Sequence, residues 1–168
     1  GKSKELGEFF LNSSTNRVYT IVRTTIVGLN LNENKSGFVE WIINTTKDNN
    51  TLGLFSDVLF TPISIWDLAN EIKFLINSNN INSETLHIAG SLCTKYEFGK
   101  LLLKSLNIAT NKLMESSISN FDNRAKRSTN QSINSSFYKQ KYKRKLPNLK
   151  QTISTIQKCY YEQDKIRK

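Results

Sequence analysis

Val18-Tyr19-Thr20-Ile21-Val22-Arg23-Thr24 is short, rich in β-branched side chains and carries a single charge. Such a run predicts a buried strand. Successive side chains of a strand point to opposite faces, and this one is apolar on both. It therefore belongs inside a sheet covered on both sides. Upstream, residues 2–13 read as a helix with Leu6, Phe9 and Phe10 on one face. Downstream, 28–36 is an Asn-rich loop, and Phe38-Val39-Glu40-Trp41-Ile42-Ile43 opens a helix with Gly37 near its start.

The alternation continues. Asp48-Asn49-Asn50 is a turn, followed by two expected short strands at 51–54 and 60–64, the second made irregular by Pro62. Residues 67–76 form an amphipathic helix with apolar positions 68, 69, 72, 75 and 76. A polar loop spans 77–82. Thr85-Leu86-His87-Ile88-Ala89 is a strand ended by Gly90-Ser91. Thr94 and Glu97 then stand in capping-box spacing before a helix that carries Phe98, Leu101, Leu102 and Leu106 on one face. After Asn107 the pattern loosens into a loop-rich tail, with a final helix expected at 149–159. There is no internal repeat and no linker that splits the chain. The order predicts one α/β domain. Two or three long strands do not complete a sheet covered on both faces, so a neighbouring structural unit is implied.

Composition narrows the function classes. The 168 residues are 38% hydrophobic and 23% charged, ordinary for a globular protein. No apolar run approaches the roughly 18–20 residues of a membrane span. Gly1-Lys2-Ser3-Lys4 leads straight into a helical pattern rather than a secretory signal. Cys93 and Cys159 lie in no metal-ligand spacing, and His87 has no zinc-site partner. The Asn12 and Asn44 sequons are expected by chance in a chain so rich in Asn and Ser. These features fit a reduced, cytoplasmic, metal-free protein. The net charge of +10 is lopsided: residues 1–123 hold eleven basic and twelve acidic side chains, and residues 124–168 hold thirteen and two. Partners carrying phosphate fit that last quarter.

Several stretches resemble the extended short-chain dehydrogenase/reductase family, in order along 1–149. Gly1-Lys2-Ser3-Lys4-Glu5-Leu6-Gly7-Glu8 resembles the segment after the catalytic tyrosine of the Tyr-x-x-x-Lys motif. Ile21-Val22-Arg23-Thr24-Thr25-Ile26-Val27-Gly28 resembles the Leu-Arg-Thr-Ser-x-Val-Tyr-Gly strand and turn. Phe55-Ser56-Asp57-Val58-Leu59-Phe60-Thr61-Pro62-Ile63 resembles the Asp-Gln-x-Gly-(Ser/Thr)-Pro-Thr loop, departing from it at Val58 and Phe60. Asp67-Leu68-Ala69 matches the helix that follows that loop, and Leu86-His87-Ile88-Ala89-Gly90 with Tyr96-Glu97-Phe98 matches a later strand and helix. Ala125-Lys126-Arg127 resembles Ala-(Lys/Arg)-Arg-Pro, with Ser128 for proline, and Leu146-Pro147-Asn148-Leu149 resembles the Leu-Pro-x-Trp ending. Within the family the nearest subgroup is the dTDP-4-dehydrorhamnose reductases.

The resemblance implies the C-terminal, substrate-binding portion of a Rossmann-type enzyme. Residues 1–28 would be a remnant of its sheet, 29–149 elements of a small mixed substrate lobe, and 150–168 a terminal helix and tail. The N-terminal cofactor-binding half, with its Gly-rich turn and the tyrosine, is expected to be missing. That half, on the same chain or as a separate subunit, is then the implied protein partner, and a homodimer stays open. The whole enzyme would reduce a sugar nucleotide with NADP or NAD as cofactor, while this chain alone is expected to bind none. Lys4 would be the motif lysine, which lowers the tyrosine pKa by its charge and binds the cofactor ribose. Thr24 and Thr25 would approach the nicotinamide. Thr61 and Pro62 would lie on the substrate loop, and Arg127 would bind the nucleotide diphosphate, since a guanidinium grips phosphate oxygens in pairs.

Read without the resemblance, the same residues are ordinary. Lys4 is a surface lysine, Thr24 and Thr25 end a strand, Thr61-Pro62 is a turn, and Arg127 is a solvated charge. His87 reads as a core histidine, and Trp41 and Trp66 as packing residues. Two other function classes remain beside the reductase: a non-catalytic sugar-nucleotide-binding or regulatory relative, and a basic nucleic-acid binder. Tyr138, Tyr142, Tyr160 and Tyr161 interleave with lysines, a pattern seen in single-strand binders. No RNA-binding signature accompanies them, which makes the last class the weakest.

Overall fold

The expected strand forms, but none of its residues is fully buried, and among the described residues it finds one partner. In the computed structural model, which describes residues 2–13, 18–30, 32, 35–78, 82–120 and 128–166, it spans Thr20–Arg23 (β1). It follows a helix at Lys2–Asn12 (α1) and leads to a second short strand, Ile26–Val27 (β2). Then come a helix at Phe38–Lys47 (α2), strands Leu52–Phe55 (β3), Leu59–Phe60 (β4) and Ile63–Ser64 (β5), and a helix at Ile65–Asn77 (α3). Strands Glu84–His87 (β6) and Cys93–Thr94 (β7) precede a helix at Lys95–Ser105 (α4) and strand Leu113–Ser116 (β8). Helices Ser136–Lys141 (α5) and Leu149–Ile166 (α6) close the chain. The result is the mixed α/β fold that the sequence predicts.

The strands associate in pairs: β1 with β6, β2 with β5 and β3 with β8 in parallel, and β4 with β7 antiparallel. In the first pair Val22 stands beside Leu86, and the Ile88 N–H continues the ladder to the Arg23 carbonyl at 3.0 Å. The single strand expected at 60–64 is broken at Thr61-Pro62. Proline offers no N–H to a ladder, so the two sides of the break pair with different neighbours.

Helix starts follow local chemistry. The Gly37 N–H donates to the Glu40 carboxylate at 3.0 Å, and the Ser64 hydroxyl accepts the Asp67 N–H at 3.0 Å. Thr94 and Glu97 form the predicted capping box, with reciprocal bonds of 3.0 and 2.8 Å. Helices α2, α4 and α6 cover the larger core against β3 and β4. There the rings of Phe38, Phe60 and Phe98 meet with centroids 5.6–6.1 Å apart. Phe60, Phe98 and Leu102 are fully buried, and each such side chain contributes about 1.5–3 kcal/mol. A smaller core of Ile63, Leu68, Leu86, Ile88 and Tyr138 lies beside the β1–β6 pair.

Three local readings differ from the structure. Ile72 and Ile76 of α3 are exposed, while Glu71, next to Ile72 in the chain, is buried. The loop-rich tail contains β8 and α5, neither of which the pattern showed. His87 is half-buried rather than a core residue. Helix α1 buries none of its side chains, and Leu6, Phe9 and Phe10 all stand more than half exposed. It is tied to β1 by an exposed Glu8–Arg23 ion pair at 2.5 Å, a contact of small energetic weight.

The tail is fastened by two carboxylates. Glu71 of α3 accepts the Tyr138 hydroxyl at 2.6 Å and a bidentate pair from Arg144 at 2.8 and 2.9 Å, and the guanidinium lies 4.4 Å from the centre of the Phe74 ring. Glu84 of β6 accepts the Tyr142 hydroxyl and the Lys141 ammonium, both at 2.6 Å. Burial pushes the Glu71 carboxyl up, but the bonds from Arg144 and Tyr138 outweigh it and leave it below its ordinary value of 4.5. Burial and the Glu71 carboxylate push the Tyr138 phenol up.

Two outcomes follow from these contacts. A Cβ on Gly90 would sit 2.1 Å from the Pro62 carbonyl oxygen and 3.3 Å from that of Pro147. Backbone cannot step aside as a side chain does, so Gly90→Ala should cost about 3 kcal/mol, the upper range for overpacking. Urea denaturation checks it, and a midpoint equal to that of the parent protein would refute the close approach. Glu71→Gln strands a partly buried guanidinium. Because Arg144 keeps a third of its exposure, the cost falls below that of a fully buried pair, at roughly 2 kcal/mol. The depressed Glu71 pKa contributes stability that is fully present above pH 4.5 and is lost as pH falls through the folded value. The stability gap between parent and variant should therefore narrow below pH 4.5, as read by melting at a series of pH values.

Candidate functional site

The Thr61-Pro62 break, the loop after β6 and the segment before α5 converge on one cleft of about 350 Å³. Thr61, Gly90, Ser91, Asn134, Lys139 and Pro147 are among its lining residues. The local chemistry explains the convergence. Gly90 lets the β6 loop press against the Pro62 backbone. The Thr61 hydroxyl oxygen accepts the Ile133 N–H at 3.1 Å, which pins the 132–135 segment across the cleft. The Ser135 hydroxyl oxygen accepts the Ala89 N–H at 3.0 Å, closing the same junction from the other side. Asn134 accepts the Ser136 N–H at 2.8 Å and so starts α5, which carries Lys139 to the rim.

The cleft opens where β6 ends at its carboxyl end, the place where parallel α/β sheets bind ligands. Its polar groups are hydroxyls, an amide and one ammonium. The Thr61 oxygen already accepts a backbone N–H, so its own hydrogen is the group with freedom to meet an acceptor, whereas the Ser135 hydroxyl both accepts the Ala89 N–H and donates to the Ala89 carbonyl at 3.4 Å. A second groove of about 740 Å³ adjoins the cleft and shares Lys139, Leu146 and Pro147 with it.

The sequence-predicted residues separate into groups. Thr61 lines the cleft, and Pro62 is buried behind it, its carbonyl against Gly90. Thr24 and Thr25 connect β1 to β2, and the Thr25 carbonyl accepts the Ile63 N–H at 3.0 Å, one residue beyond Pro62. Lys4 is exposed on α1. Arg127 lies outside the described residues. The motifs do not mark Gly90, Ser91, Asn134 or Lys139 as site residues. A glycine directly after a strand was the available signal for the first of them.

The remaining candidates are structural. Tyr138 is fully buried and Tyr142 is bonded to Glu84, so neither ring is free to stack on a base. Burial pushes the Cys93 thiol up to about 12, which keeps it protonated and unreactive at neutral pH. Among the described residues no group of three or more His, Cys, Asp or Glu could hold a metal ion. No helix among them is long and apolar enough to cross a membrane. The Thr24 hydroxyl oxygen is buried without a hydrogen-bond partner, and a polar group of a nicotinamide cofactor would satisfy it. The sequence holds no Gly-rich turn for the cofactor's phosphates. One hydroxyl is not a dinucleotide site, and the residues present do not fit the whole group.

Comparison with known proteins places this geometry. A search of curated proteins found no match. Among solved structures the chain is similar to dTDP-4-dehydrorhamnose reductases from three organisms. For Clostridium acetobutylicum the identity is 24%, over 96% of this chain and 55% of that one, with a TM-score of 0.82. For Bacillus anthracis, whose structure is a complex with NADP, the values are 23%, 92%, 53% and 0.80. For Yersinia enterocolitica they are 25%, 92%, 55% and 0.72. The chain thus spans 53–55% of the length of these reductases. The family model described as the RmlD substrate binding domain matches residues 1–161. With nearly its whole length matched by that model, the chain belongs to the RmlD substrate-binding domain family.

Proposed function

We propose that this chain provides the sugar-nucleotide-binding half of an NAD(P)H-dependent reductase of the dTDP-4-dehydrorhamnose reductase kind. The observation that carries the reading is the hydroxyl-lined cleft at the carboxyl end of β6, with Thr61 on one wall and Lys139 on its rim. A sugar presents hydroxyls that both donate and accept, and a wall of Thr and Ser hydroxyls beside an amide matches them. A nucleoside diphosphate brings negative charge, which must be met by a cation once it leaves water. In this reading Arg127 holds the diphosphate, and Thr61 and Pro62 shape the sugar end.

The reaction needs a second unit. Lys4, Thr24 and Thr25 form the cofactor-facing edge, and a Gly-rich turn and an acidic tyrosine complete it from a partner segment or subunit. Beside that tyrosine, Lys4 holds its pKa down, so that it can hand a proton to the sugar carbonyl oxygen. The pairing of β1 on one side alone among the described residues, and the bare apolar face of α1, support such a partner. A nicotinamide held by that second unit, with Thr24 and Thr25 facing it, would supply hydride.

Calorimetric titration of the chain with dTDP tests the reading. Arg127→Ala should weaken binding by roughly 1.5–3 kcal/mol, the range for a hydrogen bond to a charged group. Lys141→Ala should leave binding unchanged, because its ammonium is already engaged by Glu84. A parallel titration with NADPH should show no saturable binding. Normal dTDP binding by Arg127→Ala, or a larger loss in Lys141→Ala, would remove the diphosphate from its assigned place.

A further inference from the structure

We infer that the groove between α3, the 144–148 segment and the start of α6 is an anion-binding site, with Lys139 and Lys145 as its cations and a phosphate or diphosphate group as its ligand class. The inference draws on the proposed function only for the molecule that carries the phosphate.

The argument begins with charges taken out of use. Five basic residues lie between 139 and 145. Lys141 is committed to Glu84 at 2.6 Å and Arg144 to Glu71 at 2.8 Å. Lys143 occupies a left-handed turn position at φ 50° and does not line the groove. Lys139 and Lys145 do line it, and neither is in an ion pair with a described residue. The two carboxylate locks therefore do more than fasten α5. They hold two cations back and fix the backbone that carries the other two, on either side of the groove's shared wall.

The acidic groups there cancel only part of this charge. Glu71 is saturated by the Arg144 guanidinium and the Tyr138 hydroxyl. Asp67 accepts the Ser64 hydroxyl at 2.5 Å and keeps its negative charge. Three cations thus face two carboxylates, which leaves the lining net positive. Neutral donors complete the lining: the Asn148 and Gln151 amides stand at the N-terminal end of the 18-residue α6, where the helix dipole also favours an anion. Lys139 borders both the groove and the Thr61 cleft. An anion held there lies at the junction, within reach of a ligand whose other end occupies the cleft.

Inorganic pyrophosphate is the probe, titrated calorimetrically at about 150 mM salt, where exposed charges more than about 8 Å apart are largely screened. The parent chain should bind it saturably at one site. Lys139→Ala and Lys145→Ala should each weaken it about tenfold or more, the loss of one charge-assisted hydrogen bond. Lys143→Ala should change it less than about twofold, since an exposed charge outside the groove acts only through a screened field. Absence of saturation, or equal losses in all three variants, would overturn the inference by showing a diffuse positive field. Repeating the series with dTDP separates the two readings. Pyrophosphate binding without dTDP binding would keep the anion site and remove the proposed function. Binding of dTDP that ignores both Lys139→Ala and Lys145→Ala, with no pyrophosphate binding, would do the reverse.

Discussion

The Glu71 carboxylate is the constraint on which the working surface depends. A buried acid in α3 is costly unless it is fully bonded. Glu71 meets that condition with two groups from the far end of the chain, Tyr138 and Arg144. The bonds settle where α5 lies and how the chain runs from it to Pro147. Those residues in turn form one wall of the Thr61 cleft and of the adjoining groove. Glu84 repeats the arrangement one strand away with Tyr142 and Lys141. A basic tail that looks like loose charge in composition is held to the α/β body by two acids, each taking one tyrosine and one cation.

The α1–β1 region is built differently. Polar locks hold the cleft, whereas α1 and β1 present apolar surface with little to bury it. Phe9 and Phe10 are exposed, and β6 is the one strand partner of β1 among the described residues. Hydroxyls, amides and cations gather at the carboxyl end of β6, while apolar side chains stand bare on α1. The proposed function assigns a ligand to the first and a partner unit to the second.

Local chemistry was legible in the sequence and long-range chemistry was not. Thr94 and Glu97 sit three residues apart and form the capping box their spacing implies. Pro62 predicts a disturbed strand and in fact divides it, because each side finds its own partner. The α3 face was misread for a reason that periodicity cannot carry. Glu71 is buried because Arg144, 73 positions away, pairs with it, and Ile72 and Ile76 are left outside. Strand β8 went unseen because it is four residues long and only Leu113 in it is buried. Thr61 was visible through a motif, and Lys139 was one lysine among many until the locks on Lys141 and Arg144 distinguished it. The motifs along 1–149 pointed to the family, the family-model match over 1–161 fixes it, and the reductase structures at 23–25% identity share its fold.

The central claim is that a nucleoside diphosphate sugar binds at the carboxyl end of β6. Backbone amide shifts of the isotope-labelled chain, followed by NMR during titration with dTDP-glucose, which carries both a diphosphate and a sugar, test it most directly. The account predicts saturable shifts concentrated at Thr61, Gly90, Ser91, Asn134 and Lys139, with α1 and the Tyr160–Tyr161 end of α6 unchanged. Saturable shifts that spare the Gly90–Ser91 loop and gather elsewhere, or none at all, would contradict it.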